Sequence, residues 1–272
     1  MTERLWVHAT VVRTAVIVLA TGLAACGERA PRTDAERLAR GKEIVTRMSE
    51  KLGSASAFSV RTTEARDQLH TGGKVQPVKF TRELIVRRPD RLYFKSTGDL
   101  ESEGWYDGVG LTLVMHKDKV FAQARMPETL DRTLDAIQER YGITLPAADL
   151  LYSSPSKALL SDTTTGGWAG RETVDGTIVD HLAFGDRGVA WELWVPTTGD
   201  PLPTRLVANL PNDKRLRKVD IRFSDWNFSP QVPADRFDPK VPSDYEGIAM
   251  LQRAAVLSNM PDEATPTSGT KR

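Results

Sequence analysis

Between residues 34 and 52 the apolar side chains Ala35, Leu38, Val45, Met48 and Leu52 recur at helical spacing, with Thr33 or Asp34 before them and Gly53 after. The pattern predicts an amphipathic first helix. Its polar face mixes both signs of charge, which favours packing on the rest of the domain over lying on a membrane surface. From Ala57 the period falls to two. Phe58 and Val60 alternate with polar neighbours, as do Val78, Phe80, Leu84 and Val86, and Arg88-Pro89-Asp90 marks a turn before Leu92 and Phe94. Trp105-Tyr106 runs into Asp107-Gly108, a hairpin signal, followed by Leu111, Leu113 and Met115 and then by 120–124.

Pro127 then opens a second predicted helix, with Leu130, Leu134, Ile137 and Tyr141 on one face and Gly142 at its end. A short helical turn is expected at 147–151. After a linker around Ser153-Ser154-Pro155-Ser156 the alternation resumes over 168–174, 178–184, 189–195, 205–210 and 216–223. The reading is of two five-strand sets of antiparallel neighbours flanking one helical insertion, an α+β chain. Beyond about residue 250 a run of Ser, Thr, Pro and charges is expected to be disordered.

The apolar load sits on single faces of the strands. Trp191, Leu193 and Val195 share one, as do Ile178, Leu182 and Phe184, and such a face must be covered. Two helices are few for so long a sheet. Either they fill its concavity and make a solid core, or they leave an apolar cavity suited to acyl chains, and periodicity leaves both open. Alternation assigns Phe80, Leu84, Phe94, Leu113, Leu182, Trp191 and Leu193 to the inner face.

The first 25 residues read differently. Arg4 and Arg13 form a positive region, and 14–25 is an apolar run ending in small residues, too short to span a bilayer. It closes on Leu23-Ala24-Ala25-Cys26, the pattern of a lipoprotein leader, in which Cys26 is diacylated and becomes the first residue after cleavage. Cys26 is the chain's one cysteine, so the exported domain has no disulfide framework and folds on its core alone. Residues 26–33 then form a short tether to the membrane, followed by a domain over 34–250.

Charge removes one class of partner. The chain carries 37 basic and 36 acidic residues, and loss of Glu3, Arg4 and Arg13 with the leader leaves both signs equal, without the basic excess that nucleic acid demands. Catalytic signals are weak. Ser154-Pro155-Ser156-Lys157 matches the Ser-x-x-Lys pattern of penicillin-recognising enzymes, yet their companion motifs are missing downstream. His70, His116 and His181 stand at no metal-ligand spacing, and there is no phosphate loop or nucleophile elbow. His181 reads either as a hydrogen-bonded cross-strand partner, the favoured reading, or as a pH-sensitive polar group lining a pocket. Neither an enzyme, a cofactor nor a metal site is expected.

Two segments carry a resemblance. Arg88-Pro89-Asp90-Arg91-Leu92-Tyr93-Phe94, continuing through Trp105-Tyr106-Asp107-Gly108 to the stretch 141–151, is one. Asp180-His181-Leu182-Ala183-Phe184, with 189–195 and Pro201-Leu202-Pro203-Thr204-Arg205, is the other. Both resemble the predicted periplasmic proteins of unknown function grouped with the LolA/LolB superfamily of lipoprotein-binding proteins, over roughly residues 38 to 240. The resemblance implies a strongly curved, half-open antiparallel barrel with helices on its concave side. It also implies a cavity that in relatives holds lipid or lipoprotein acyl chains. Cys26 departs from the soluble carriers of that superfamily and fits anchored acceptance or local lipid handling, and Gly27 after the cysteine favours the outer membrane. The expected function is non-enzymatic binding of a lipid or acyl chain. The alternative is an envelope protein-interaction or stress-sensing module on the same fold.

Overall fold

The computed structural model describes residues 29–69, 74–161, 163–186, 189–211 and 216–250. The leader, Cys26, His70 and the tail from 251 lie outside the described residues.

Helix α1 (Asp34–Gly53) begins where the chain supplies a reciprocal cap: Thr33 Oγ1 accepts from the Glu36 N–H at 3.2 Å, and the Glu36 carboxylate accepts from the Thr33 N–H at 3.0 Å. Asp34 and Glu36 in the first turn and Lys51 in the last suit the helix dipole. Its buried stripe is Gly41, Ile44, Val45, Met48 and Leu52; Ala35 is exposed. Gly53 is the last helical residue rather than a left-handed terminator, and Ser54 forms the cap in right-handed conformation. Glycine is needed there for space, because a Cβ would strike the Ser153 carbonyl oxygen.

Six strands follow: β1 (Ala57–Leu69), β2 (Val75–Arg87), β3 (Arg91–Gly98), β4 (Ser102–Tyr106), β5 (Gly110–Met115) and β6 (Val120–Arg125). Helix α2 (Leu130–Tyr141), a 3₁₀ turn (Ala148–Leu151) and α3 (Pro155–Leu160) make the insertion. The chain then returns through β7 (Thr165–Val174), β8 (Thr177–Asp186), β9 (Val189–Pro196), β10 (Arg205–Asn209) and β11 (Leu216–Asn227), and adds β12 (Glu246–Ala249). Among the described residues all twelve strands belong to one sheet, in the order β12-β6-β5-β4-β3-β2-β1-β11-β10-β9-β8-β7. Every pairing is antiparallel except β12 on β6, and the ends do not meet, so the sheet is an open, curved half-barrel.

The strand count corrects the sequence reading of five and five. The first set has six, and β12 escaped prediction because all four of its residues are exposed and carry no alternation. Helix α2 also starts three residues beyond Pro127, at a Thr129 cap whose Oγ1 accepts from the Arg132 N–H. The Pro127 carbonyl is instead an anchor, accepting from Tyr106 Oη at 2.5 Å and Thr133 Oγ1 at 3.1 Å. Gly142 closes α2 with φ 61°, as its position after the last periodic residue requires.

Each half of the sheet receives one long helix on its inner face, with the short α3 beside α1. Ile44, Val45, Met48 and Leu52 of α1 pack on Leu182, Phe184, Leu193, Val195, Leu206 and Ile221. In the other half, Leu130, Leu134 and Ile137 of α2 pack on Phe58, Val60, Val86, Leu92, Tyr106 and Leu111. Each such large side chain, fully buried, contributes about 1.5–3 kcal/mol before conformational entropy is counted. Phe223, Trp226 and Phe228 touch both clusters at the seam. Ile178 shares the parity of Leu182 but lies at the hairpin end of β8, where it is exposed.

The outer face is covered too. Residues 229–245 cross it, and Phe237 buries itself against Tyr93, Trp105 and Val114. Tyr245 meets His116, Oη to Nδ1, at 3.0 Å.

A candidate ligand-binding hollow

The helices do not fill the concavity of the first half. A hollow of about 170 Å³ remains between the inner faces of β1, β2, β3 and β5 on one side and α2, the loop 143–147 and the 3₁₀ turn on the other. Its walls are mainly hydrocarbon, and Leu84, Phe94 and Leu113 among them stand in one row across the sheet, since Val60 pairs with Leu84, Leu84 with Phe94, Phe94 with Gly104 and Gly104 with Leu113. Gly104 carries no side chain because the Phe94 ring lies over it and a Cβ would collide with that ring.

A second hollow, of about 310 Å³, lies on the other half, lined by Trp191, Leu206, Ala208 and Leu210 and by α3. Leu145, Pro146 and Ala147 line both, so this short loop is the partition between them. The 3₁₀ turn that follows the loop is held at its far end by Arg88, whose Nη1 and Nη2 donate to the Leu151 and Tyr152 carbonyls at 2.7 Å each. Leu145 is 40% exposed, an apolar side chain left in solvent at the rim. A larger recess on the outer face, about 520 Å³, is lined by Arg61, Glu83, Lys95, Glu103, Arg236 and Lys240 among others, and its charged walls do not suit an apolar ligand.

The seven residues assigned inward by alternation separate into groups. Leu84, Phe94 and Leu113 line the first hollow and Trp191 the second. Leu182 and Leu193 face inward but are wholly buried in the cluster under α1, so neither is free to touch a ligand. Phe80 is also buried, with the Arg66 and Arg82 guanidiniums over its ring at 4.9 and 5.2 Å.

Sequence reasoning missed the polar members of the hollow. Thr62, Glu64, Arg66 and Arg82 all line it. Glu64 is 2% exposed, accepts from Thr62 Oγ1 at 2.9 Å and from Arg66 Nη2 at 2.6 Å, and lies 3.3 Å from Arg82 Nη1. Burial pushes the Arg82 guanidinium below its ordinary value, with Glu64 opposing. The signal was available in the parity of β1, where 62, 64 and 66 continue the inward series of Phe58 and Val60, but charged residues on a strand are ordinarily assigned to solvent.

The remaining candidates for chemistry lie elsewhere. His181 is on the outer face, stacked on Trp194 at 4.4 Å and 8°, with Nε2 2.7 Å from Glu192. Ser154 and Lys157 meet through backbone, the Lys157 N–H donating to the Ser154 carbonyl at 3.0 Å. Among the described residues no group of histidine, cysteine and carboxylate side chains could hold a metal ion, and no helix is long and apolar enough to cross a membrane.

No curated protein matches the chain. Solved structures with a similar chain path include an uncharacterized conserved protein from Thermus thermophilus, 11% identical with a TM-score of 0.46 over 76% of this chain and 98% of that one. The Mycobacterium tuberculosis lipoprotein LppX is 14% identical with a TM-score of 0.44 over 71% and 97%. A LolA superfamily protein from Nitrosomonas europaea is 14% identical with a TM-score of 0.37 over 74% and 98%. One family model matches residues 41–251, the whole of the sheet and its insertion, and by that match the chain belongs to the family described as predicted periplasmic protein (DUF2092).

Proposed function

We propose that this protein is a lipid-anchored component of the bacterial envelope that holds a lipid or a lipoprotein acyl chain in the inner hollow without chemical turnover. The observation that carries the reading is the hollow itself: hydrocarbon walls under a sheet that two helices leave partly uncovered. A periplasmic family description agrees with an exported chain. Anchoring rests on Leu23-Ala24-Ala25-Cys26, and Gly27 after the cysteine favours the outer membrane.

The experiment is native mass spectrometry of the full chain, expressed with its own leader, followed by solvent extraction. A stoichiometric lipid or acyl species, released on unfolding, is the expected result. A clean apo mass with no uptake from added phospholipid would sink the reading. Anchoring is tested separately, since Cys26→Ala should abolish acyl labelling.

A second reading, partner binding in the envelope, has one feature behind it. Among the described residues strand β7 ends the sheet with no strand on its outer side, an edge able to accept an extended peptide. It predicts an empty hollow and a co-purifying protein.

A further inference from the structure

The hollow has two chemically different ends. Inward positions along β1 run Phe58, Val60, Thr62, Glu64, Arg66, and their partners on β2 run Val86, Leu84, Arg82, Phe80, Val78, so hydrocarbon gives way to charge along one face. At the charged end a single carboxylate serves two guanidiniums. Arg66 donates to Glu64 Oε2 through both Nε and Nη2, at 3.2 and 2.6 Å, while Arg82 Nη1 reaches Oε1 at 3.3 Å. Two cations against one anion leave a positive excess in a setting where an unbalanced charge is costly.

Among the described residues no hydrogen bond engages Arg66 Nη1, and Arg82 also has capacity left. Its Nε donates to Ser96 Oγ at 3.0 Å and its Nη1 is engaged by Glu64, whereas among the described residues no hydrogen bond engages Nη2. The side chain lines the hollow, keeps 17% of its surface exposed and lies 5.0 Å over the Phe94 ring, so its free donor adjoins the hydrocarbon wall. A planar guanidinium with an open edge suits an oxyanion.

We propose that the ligand is an anionic amphiphile, its chain lying along Leu84, Phe94 and Leu113 and its carboxylate or phosphate head paired with Arg82 and Arg66. The proposal deepens the function given above and rests on it. The head neutralises the buried excess, and the chain fills the apolar end.

The test is a calorimetric titration of the purified full chain at neutral pH with three probes sharing one hydrocarbon chain: palmitate, hexadecyl phosphate and hexadecanol. The anions should bind about tenfold or more tighter than the alcohol, the scale of a charge-assisted arginine bond. Their own order tells a free fatty acid from a phosphorylated lipid. Arg82→Met should bring the anion-to-alcohol ratio to about threefold or less, and Arg82→Lys, which keeps the charge and guards against a folding defect, should retain more of it. Equal binding of all three probes, or a ratio that survives Arg82→Met, would overturn the head-group assignment while leaving an apolar ligand in place. Binding of none of the three would overturn both readings.

Discussion

Gly41 of α1 and Gly167 of β7 meet backbone to backbone: a Cβ on Gly41 would stand 2.7 Å from the Gly167 Cα and 2.9 Å from Phe184 Cζ. Gly167 is equally constrained, with φ +132° and a Cβ position occupied by the Arg37 backbone. The pair sets how deeply α1 seats in its half of the sheet. Glycine to alanine in an ordinary helix interior gains roughly 1 kcal/mol. Here overpacking reverses the sign, and Gly41→Ala should lose about 1–3 kcal/mol in urea denaturation followed by circular dichroism. A gain in stability would mean that α1 can lift away from β7.

Filling the hollow separates binding from folding. Leu84→Phe adds volume at a half-buried wall position. The variant should lose about 1–3 kcal/mol of stability at most, and the lipid recovered by solvent extraction should fall several-fold. Unchanged loading in a folded variant would place the ligand elsewhere.

Asp149 lies beside the second hollow, and burial pushes its carboxyl above the ordinary carboxylate range. With the folded value above the unfolded one, the protein is most stable when this group is protonated and loses stability as pH rises through the folded value. Asp149→Asn should therefore raise Tm at neutral pH by about 2–4 °C, the shift that about 1 kcal/mol produces in a domain of this size. The gain should vanish in acid below about pH 3.9. Equal Tm values at neutral pH would remove the burial argument.

Asp220 behaves in the opposite sense. Hydrogen bonds from Arg205 at 2.9 and 2.5 Å hold its carboxyl below the ordinary range, and Arg205 also lies 4.8 Å over the Trp194 ring. The pair's contribution is present above the unfolded value near 3.9 and is lost as pH falls through the lower folded value. Asp220→Asn should cost about 1 kcal/mol at neutral pH, since the pair is only partly exposed, and almost nothing near pH 2. Denaturation curves at the two pH values read the difference directly.

Much of this architecture was legible because burial imposed a period. Met48 and Leu52 repeat at helical spacing against the sheet, and Trp191, Leu193 and Val195 alternate because every second residue of β9 meets the core. Where burial imposed none, the sequence was mute. Glu246–Ala249 is exposed throughout, and the outer-face crossing reads as a loop although Phe237 is buried beneath it. The depth of burial was also hidden. Leu182 and Leu84 have the same parity, yet α1 seals the first and α2 leaves the second lining a hollow, a distinction made by helix placement. Glu64 and Arg66 share the inward parity of Val60, but their compensation with Arg82 is a cross-strand relationship that one strand read alone does not display.

The sheet order has a consequence in time. Strand β1 lies between β2 and β11, and Arg61 meets Asp225 across 164 residues of chain, so the wall that joins the two halves is completed only after nearly the whole domain has crossed the membrane. Contacts at such separation are slow to form, and until they do the inner face of β1 to β6 stands open at one side. A nascent chain in that state has a sticky trough without a floor. If the hollow holds a lipid as proposed, selectivity is acquired late, and an apolar molecule adsorbed to the half-built face would have to be kept or expelled as β11 closes beside it.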